Sequence, residues 1–139
     1  MNNCLFCNIK EESIILSTNN FNVVYDQYPV NKGHSLIISK EHKIDFFDLS
    51  DIELIELNQT ISSVKCFIDS EFPSIVGYNI GMNCGRQAGQ TINHFHCHLI
   101  PRYTDDMIDP SGGVRGCIPE KQHYKKYKSP TEYMNFFNS

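Results

Sequence analysis

A mixed domain of strands and one long helix is predicted by three features of the sequence. Two β-branched and aromatic runs, residues 21–25 and 35–38, flank the turn residues Asn31, Lys32 and Gly33, which predicts antiparallel neighbours. A capped helix pattern begins near Ser50. The length of 139 residues suits one hydrophobic core. We therefore expect a single domain spanning residues 1–139.

The helix is predicted to run from Ser50 to about Ser70. Ser50 is followed three residues later by Glu53, the sequence pattern of a capping box. Apolar residues then recur at helical spacing at Ile61, Val64, Phe67 and Ile68. Pro73 bounds the pattern, so the chain leaves the helix before it.

The segment after the helix predicts two more strands joined by a loop. Residues 75–82 form an apolar run whose glycines indicate close approach by another group, and residues 83–90 form the loop. In the next segment His94, His96 and His98 alternate with apolar residues. Successive side chains on a strand point to opposite faces, so we expect the three imidazoles on one face and Phe95, Cys97 and Leu99 in the core.

Composition narrows the functional class. Twelve basic and sixteen acidic residues give a formal net charge of −4, which argues against general binding to nucleic acid. No apolar run approaches the roughly 20 residues that span a bilayer, so no membrane partner is expected. The N-terminus has no signal-peptide pattern, which predicts a cytoplasmic location. In that reducing compartment the six cysteines are interpreted as thiols or metal ligands.

Three alternating histidines require a partner, because burying imidazoles without one is costly. Two chemistries fit: a His-x-His pair can hold a zinc ion that activates water, or an oriented neutral imidazole can attack phosphorus directly. Upstream, residues 83–91 combine glycines with amide and hydroxyl donors. They predict a phosphate-binding loop in which Asn83, Gln90 and Thr91 donate hydrogen bonds.

Residues 89–102 read Gly-Gln-Thr-Ile-Asn-His-Phe-His-Cys-His-Leu-Ile-Pro-Arg and resemble the signature of the histidine triad (HIT) family. The similarity extends upstream through Asp26 and Gly33-His34 and covers about residues 4–102 as the core, with a C-terminal extension at 103–139. Residues 112–119 resemble a tail of microbial members often labelled diadenosine polyphosphate hydrolases. The resemblance implies an α+β fold, an antiparallel sheet of about five strands with a long helix and a shorter one, and a homodimer.

The same resemblance implies a role for each residue of the motif. His96 is the nucleophile, which forms a transient nucleotidyl-histidine, and His98 hydrogen-bonds the phosphate. Gln90 positions the phosphate or the leaving oxygen. The remaining oxygens are bound by Asn83 and by backbone amides near Gly89 and Thr91.

Four further positions carry expectations of their own. Asp26, eight residues before His34, matches the family position that holds the ribose hydroxyls. His34 is expected to give a supporting hydrogen bond and is not counted as catalytic. Arg115 is a candidate phosphate contact in glycine-rich surroundings. Arg102 is similarly placed, but a structural ion pair is equally open.

Cys4 and Cys7 form a Cys-x2-Cys pair, which is a zinc signal that needs two more ligands. The resemblance implies that these are His42 and His94, giving a structural zinc ion with no position open to water. No organic cofactor is expected. Unmetallated thiols near the terminus are the alternative.

The combined expectation is a nucleotide hydrolase or transferase that acts at the α-phosphate of diadenosine polyphosphates or nucleoside phosphoramidates. Two alternatives remain open at this point. The protein could bind nucleotides or serve as a dimeric interaction partner without catalysis. It could also be a zinc-dependent hydrolase that uses His94 and His96 as ligands.

Overall fold

The computed structural model describes residues 3–123 and positions 131, 134, 135 and 138. A five-stranded sheet and one long helix form the regular structure of residues 3–123, and the four later positions are helical. The strands are β1 (Ile14–Ser17), β2 (Phe21–Tyr25), β3 (Ser35–Ser39), β4 (Gly77–Gly81) and β5 (His96–Arg102), and the helix is α1 (Asp51–Glu71). All pairs are antiparallel, in the order β1-β2-β3-β5-β4. The α+β fold with a five-stranded antiparallel sheet and a long helix is confirmed. Within residues 3–123 the other helical segments are short 3-10 turns, so the expected shorter helix is not among them.

Helix α1 begins and ends close to its predicted bounds. Glu53 N donates to Ser50 Oγ at 3.2 Å and Ser50 N donates to Glu53 Oε1 at 2.9 Å, which completes the capping box. Val64 and Ile68 are buried, as the apolar stripe predicts, whereas Ile61 and Phe67 lie at its margin. Leu57 and Thr60 extend the buried face towards the N-terminus.

The two faces of the sheet are covered by different groups. Residues of β2, β3 and β5 pack with α1 on one face, where Phe95, Cys97 and Leu99 are at most 1% exposed, as predicted. On the other face a smaller apolar cluster of β2 and β3 residues packs against Phe6. Burial alternates along β5, so His96 and His98 point away from α1. The site therefore lies on the face opposite the helix.

His94 corrects the prediction of one continuous histidine strand. It is fully buried, but β5 begins only at His96. His94 N donates to Ile92 O at 2.8 Å, which curls the chain before the strand starts. The three histidines therefore do not form a regular alternation on one strand.

Two compact units divide the chain, the first ending at Asp106 and the second beginning at Met107. In the second unit, 3-10 turns occupy Gly113–Cys117 and Pro119–Lys121. The single domain over 1–139, with its extension at 103–139, stays a prediction. None of the helices in the described residues has the length and apolar character needed to cross a membrane.

Candidate active site and metal cluster

Strand β5 places two of the three histidines between different neighbours. His98 lies in the middle of the sheet, paired with Leu36 of β3 and Gly81 of β4. His96 pairs with Ile38 of β3, but β4 has already ended at this level. The loop from β4 to β5 therefore begins beside His98 and ends just before His96, where β5 begins.

The main chain fixes which nitrogen of His96 carries a hydrogen. His96 Nδ1 lies 2.8 Å from the carbonyl oxygen of His94. A carbonyl only accepts, so Nδ1 carries the hydrogen and the lone pair of the neutral ring is on Nε2. An imidazole in this tautomer can act as a nucleophile through Nε2.

A chain of hydrogen bonds orients His98 through His34. Val30 N donates to His34 Nδ1 at 3.0 Å, so the hydrogen of the neutral His34 ring is on Nε2. His34 Nε2 lies 3.0 Å from His98 Nδ1, to which it donates. The hydrogen of His98 is consequently on Nε2, available to a phosphate oxygen. The supporting hydrogen bond expected of His34 fits this geometry.

Burial keeps both of these imidazoles neutral. Burial, with smaller effects of the neighbouring His96 and His34, lowers the pKa of His98 to about 4, while Asp26 opposes the shift. Burial also lowers the pKa of His34, again against the effect of Asp26. Neutral rings with one hydrogen each are what the chain of hydrogen bonds requires.

Cys4, Cys7, His42 and His94 form a cluster in which one atom from each residue lies within 4.8 Å of the others. His94 Nδ1 lies 3.3 Å from Cys4 Sγ, 3.4 Å from Cys7 Sγ and 3.2 Å from His42 Nδ1. A tetrahedral zinc with bonds of about 2.3 Å to sulfur and about 2.0 Å to nitrogen sets its ligand atoms about 3.3–3.8 Å apart. The four predicted ligands are therefore brought together with spacings close to those of a metal site. None of the six cysteines, all of which lie within residues 3–123, is in a disulfide.

The second nitrogen of His94 supports ligation. His94 Nε2 lies 2.7 Å from the carbonyl oxygen of Ser39, so it carries the hydrogen and leaves the lone pair on Nδ1, inside the cluster. A ligand histidine commonly donates its other N–H to a carbonyl in this way. The cluster could hold a metal ion.

Asp26, His34 and His98 form a second cluster with similar spacing, also within 4.8 Å. Here the second nitrogen of His34 faces the N–H of Val30, so His34 Nε2 holds a hydrogen and has no lone pair for a metal. We therefore interpret this cluster as a hydrogen-bonded donor system.

Gln90 occupies a different position from the one its predicted role requires. Its side chain is 4% exposed. Gln90 Nε2 donates to Ile44 O at 2.7 Å and to Ile92 O at 3.2 Å, and Oε1 accepts from Gly85 N at 2.9 Å. The amide holds the loop together, and a phosphate contact would require these bonds to break.

The other predicted phosphate-binding residues lie at the exposed side of the loop. Gly89 has φ +97°, and a Cβ there would stand 3.8 Å from Asn83 Nδ2, so the two residues are adjacent. Continuing the β4–β5 register by two residues sets Asn83 opposite His96. Thr91 is exposed in the same loop. Their binding of phosphate stays a prediction.

Asp26 is adjacent to His34 and His98. Its Oδ1 accepts from Tyr28 N at 2.8 Å, and its Oδ2 lies 3.4 Å from His34 Nε2. Contact with a ribose stays a prediction.

The two arginines have different surroundings. Arg102 makes a two-pronged ion pair with Asp106 at 2.7 and 2.8 Å and also donates to Asn79 Oδ1, so the structural alternative applies to it. Arg115 belongs to the second unit, where its Nε donates to Lys121 O.

Two residues beside the histidines, Phe6 and Ser39, were not predicted from the sequence. Phe6 lies between the two cysteines of the Cys-x2-Cys pair, and its ring centroid is 4.9 Å from that of His96. The position of Phe6 between Cys4 and Cys7 is the one feature of the sequence that indicates that it lies near the proposed metal ligands. Ser39 contributes through its carbonyl oxygen, for which a sequence gives no signal.

Comparison with known proteins identifies the family. A family model described as HIT domain matches residues 8–105. An uncharacterised HIT-like protein of Methanocaldococcus jannaschii is 37% identical over 108 residues, covering 74% of this chain and 81% of that protein. An adenosine 5'-monophosphoramidase of Schizosaccharomyces pombe is 32% identical over 107 residues, covering 74% and 77%. A crystal structure of a zinc-bound histidine triad family protein from Mycobacterium smegmatis superposes with a TM-score of 0.69 at 28% identity, covering 77% and 80%.

The family model spans more than half of the chain and includes all three histidines of the motif. The chain therefore belongs to the HIT, or histidine triad, family.

Proposed function

We propose that this protein hydrolyses or transfers nucleotides by cleaving the α-phosphate linkage of conjugates such as diadenosine polyphosphates or nucleoside phosphoramidates. The observation that carries the proposal is the 2.8 Å contact between His96 Nδ1 and the His94 carbonyl, because it leaves the lone pair of His96 on Nε2. The similarity to a protein named adenosine 5'-monophosphoramidase supports this class of substrate.

The reaction proceeds in two displacements at phosphorus. In the first, His96 Nε2 forms a bond to the α-phosphorus while the bond to the leaving oxygen or nitrogen breaks, and the leaving group takes up a proton from solvent. In the second, water attacks the phosphorus and loses a proton to solvent, the bond to Nε2 breaks, and a nucleoside monophosphate is released. The neutral His96 ring is then restored with its hydrogen still on Nδ1.

His98 stabilises the charge that develops on the transferred phosphate. Its Nε2 hydrogen is directed by His34, whose own hydrogen is set by the Val30 amide. A donor that is already oriented before the substrate arrives costs no reorganisation during the reaction. His34 acts through His98 and is a positioning residue.

The metal of the cluster is proposed to be structural zinc, held by Cys4, Cys7, His42 and His94. The donor set of two sulfurs and two nitrogens suits zinc, and the similarity to a zinc-bound histidine triad protein supports the choice. Four protein ligands leave no position for water, so zinc supplies stability to the N-terminal turn. The hydrolase that would use His94 and His96 on one zinc is disfavoured, because the lone pair of His94 is on Nδ1, which lies among Cys4, Cys7 and His42, a cluster that does not include His96.

A homodimer is proposed through the edge of the sheet at β4. The strand lies at one end of the sheet order, with main-chain groups facing outwards. Val76 and Ile80 are 69% and 44% exposed at this edge. Sedimentation equilibrium tests the dimer directly, and a monomer at micromolar concentration would contradict it.

The experiment that tests the function is product analysis with diadenosine tetraphosphate and adenosine phosphoramidate. The wild type should release AMP, and a rapidly quenched reaction should show the protein carrying one nucleotidyl group by intact mass. His96→Ala should lose both signals, whereas Cys66→Ala, at an exposed cysteine of α1, should retain them. AMP release by His96→Ala, or binding of either compound without turnover, would contradict the mechanism.

A further inference from the structure

The amide that orients His34 belongs to an exposed segment of the turn that joins β2 to β3. Val30 N donates to His34 Nδ1 at 3.0 Å. Residues 27–30 are all exposed, and the side chains of Tyr28 and Val30 are 86% and 65% exposed. A segment with so few buried contacts is not held in place by packing. The position of the Val30 amide is therefore set by the residues on either side of it.

Asn31, the next residue, anchors this turn to the end of β5. Both hydrogens of its side-chain amide are used, because Nδ2 donates to Pro101 O at 3.0 Å and to Asp106 Oδ2 at 2.8 Å. The Asn31 carbonyl accepts from His34 N at 3.1 Å. The residue that follows Val30 is therefore bonded both to the neighbouring strand end and to the main chain of His34.

Asp106 is a fixed acceptor for Asn31. Its carboxylate is 14% exposed and accepts from Arg102 Nε and Nη2 at 2.8 and 2.7 Å and from Tyr103 N at 3.0 Å. The hydrogen bonds from Arg102 lower the pKa of Asp106, so the carboxyl group is ionised at neutral pH. Asp105 has φ +63°, a left-handed conformation that is uncommon for a residue with a Cβ, in the turn where Asp106 N donates to Tyr103 O.

Tyr103 makes a second contact with the same turn. Its hydroxyl donates to Lys32 O at 2.6 Å. Two consecutive residues, Asn31 and Lys32, are therefore bonded to the segment 101–106. Two bonded points fix the direction of the chain as well as its distance from β5, and this direction determines where the preceding amide points.

We propose that Asn31, held by Asp106, is a positioning residue for His98. It fixes the Val30 amide, which sets the hydrogen on His34 and, through it, the hydrogen that His98 offers to a phosphate oxygen. The inference rests on the proposed function. Because His98 acts on charge that develops during the reaction, loss of the anchor lowers kcat and leaves KM nearly unchanged.

Asn31→Asp tests the anchor, because it keeps the shape of the side chain but places a carboxylate oxygen against two acceptors. We expect kcat to fall about tenfold with KM within about twofold. Asn31→Ala removes the donor without adding a charge, so its loss of kcat should be smaller. Asn20→Asp is the matched control, since Asn20 Nδ2 also donates to a carboxylate, that of Glu56 at 2.9 Å, in the turn at the other end of β2. It should keep the wild-type kcat.

The same substitution in a His34→Leu background separates positioning from general damage to the fold. If Asn31 acts through His34, Asn31→Asp should change kcat by less than about twofold once His34 is absent. A full additional loss in this background would overturn the proposal. So would a rise in KM at constant kcat in the single variant, or an unchanged kcat in both Asn31 variants.

A measurement on the His34 ring does not depend on turnover. In protein with nitrogen-labelled histidine, the Nδ1 signal of His34 is assigned by its loss in His34→Gln, and it reports whether this nitrogen accepts a hydrogen bond. The signal should move towards that of a nitrogen without a donor in Asn31→Asp and stay in place in Asn20→Asp. An unmoved signal in Asn31→Asp would overturn the proposal. The expected movement in a protein that cleaves neither compound would support the anchor and reject the proposed function alone.

Discussion

Two clusters that contain histidine have similar spacing, but they differ in composition and in the main-chain atom that contacts their buried imidazole. In the cluster of Cys4, Cys7, His42 and His94, which is the proposed metal cluster, His94 Nε2 donates to the carbonyl of Ser39 at 2.7 Å. In the cluster of Asp26, His34 and His98, His34 Nδ1 accepts from the amide of Val30 at 3.0 Å. A ring nitrogen that contacts a carbonyl must carry the hydrogen, so the other nitrogen has the lone pair. A ring nitrogen that accepts from an amide has the lone pair, so the other nitrogen carries the hydrogen.

This difference assigns opposite roles to the same side chain. His94 Nδ1 has a lone pair and can bind a cation, whereas His34 Nε2 carries a hydrogen and can only donate. Side-chain spacing alone does not distinguish the two clusters, since the ligand atoms of both lie within 4.8 Å of one another. The main-chain atom that contacts each buried ring distinguishes them.

The largest effect is expected from breaking the metal cluster with Cys7→Ser. The metal content should fall from one per chain to near zero, because a hydroxyl is a poor zinc ligand, and Tm should drop by about 10 °C, as a loss of about 2–3 kcal/mol implies. Calorimetry and elemental analysis measure both. Cys66→Ser is the control. An unchanged Tm would mean that the cluster contributes nothing to folding.

A smaller effect is expected when the cluster of Asp26, His34 and His98 loses the donor of His34. His34→Leu removes the hydrogen bond that orients His98, so kcat should fall roughly 10- to 100-fold, below the full contribution of an acid or base catalyst. His34→Gln keeps an amide donor and should lose less. Steady-state kinetics and metal content are measured together. Loss of metal in His34→Leu would contradict the distinction between the clusters.

The pH dependence of stability tests whether His98 is neutral. Its pKa in the folded protein is about 4, below the ordinary value of 6.5, mainly because of burial. Between these values the unfolded chain binds more protons, so the free energy of unfolding should fall as pH decreases from 6.5 towards 4. Urea unfolding of the metal-loaded protein at several pH values measures this slope. His98→Asn should make it shallower, and an identical slope would show that His98 titrates normally.

The smallest effect is expected from Ser39→Ala. Ser39 Oγ lies 3.2 Å from His94 Nε2, but the carbonyl of the same residue is closer, at 2.7 Å. The substitution keeps the carbonyl, so metal affinity should fall by less than about tenfold, the equivalent of one ordinary hydrogen bond. Competition with a chromophoric chelator measures the affinity. A loss as large as that in Cys7→Ser would show that the hydroxyl, and not the main chain, directs the ring.

Sequence patterns predicted those parts of the fold that depend on residue periodicity and capping. The strand over residues 21–25 and the capping box at Ser50 are found as expected. Strand β1 was missed, because it is a four-residue edge strand whose pairing with β2 contains a bulge. Its position depends on contacts such as Glu56 with Thr18 and Asn20, which lie far away in sequence.

The candidate site was predicted in part for a similar reason. The four predicted metal ligands, residues 4, 7, 42 and 94, lie together in the fold, as the family resemblance implied. The regular alternation of histidines did not predict that His94 leaves the strand. Nor does the identity of Gln90 reveal that its amide is used by backbone atoms of Ile44 and Ile92. Hydrogen bonds to main-chain atoms cannot be predicted from residue types, because every residue offers the same carbonyl group.

The contact between Val30 N and His34 Nδ1 has a consequence for how this site tolerates variation. The Val30 side chain is 65% exposed, and only its amide takes part in the contact. Nineteen of the twenty common residues supply that amide, and proline alone lacks it. The arrangement of hydrogens on His34 and His98 therefore depends on a position whose side chain can vary widely, provided that it is never proline.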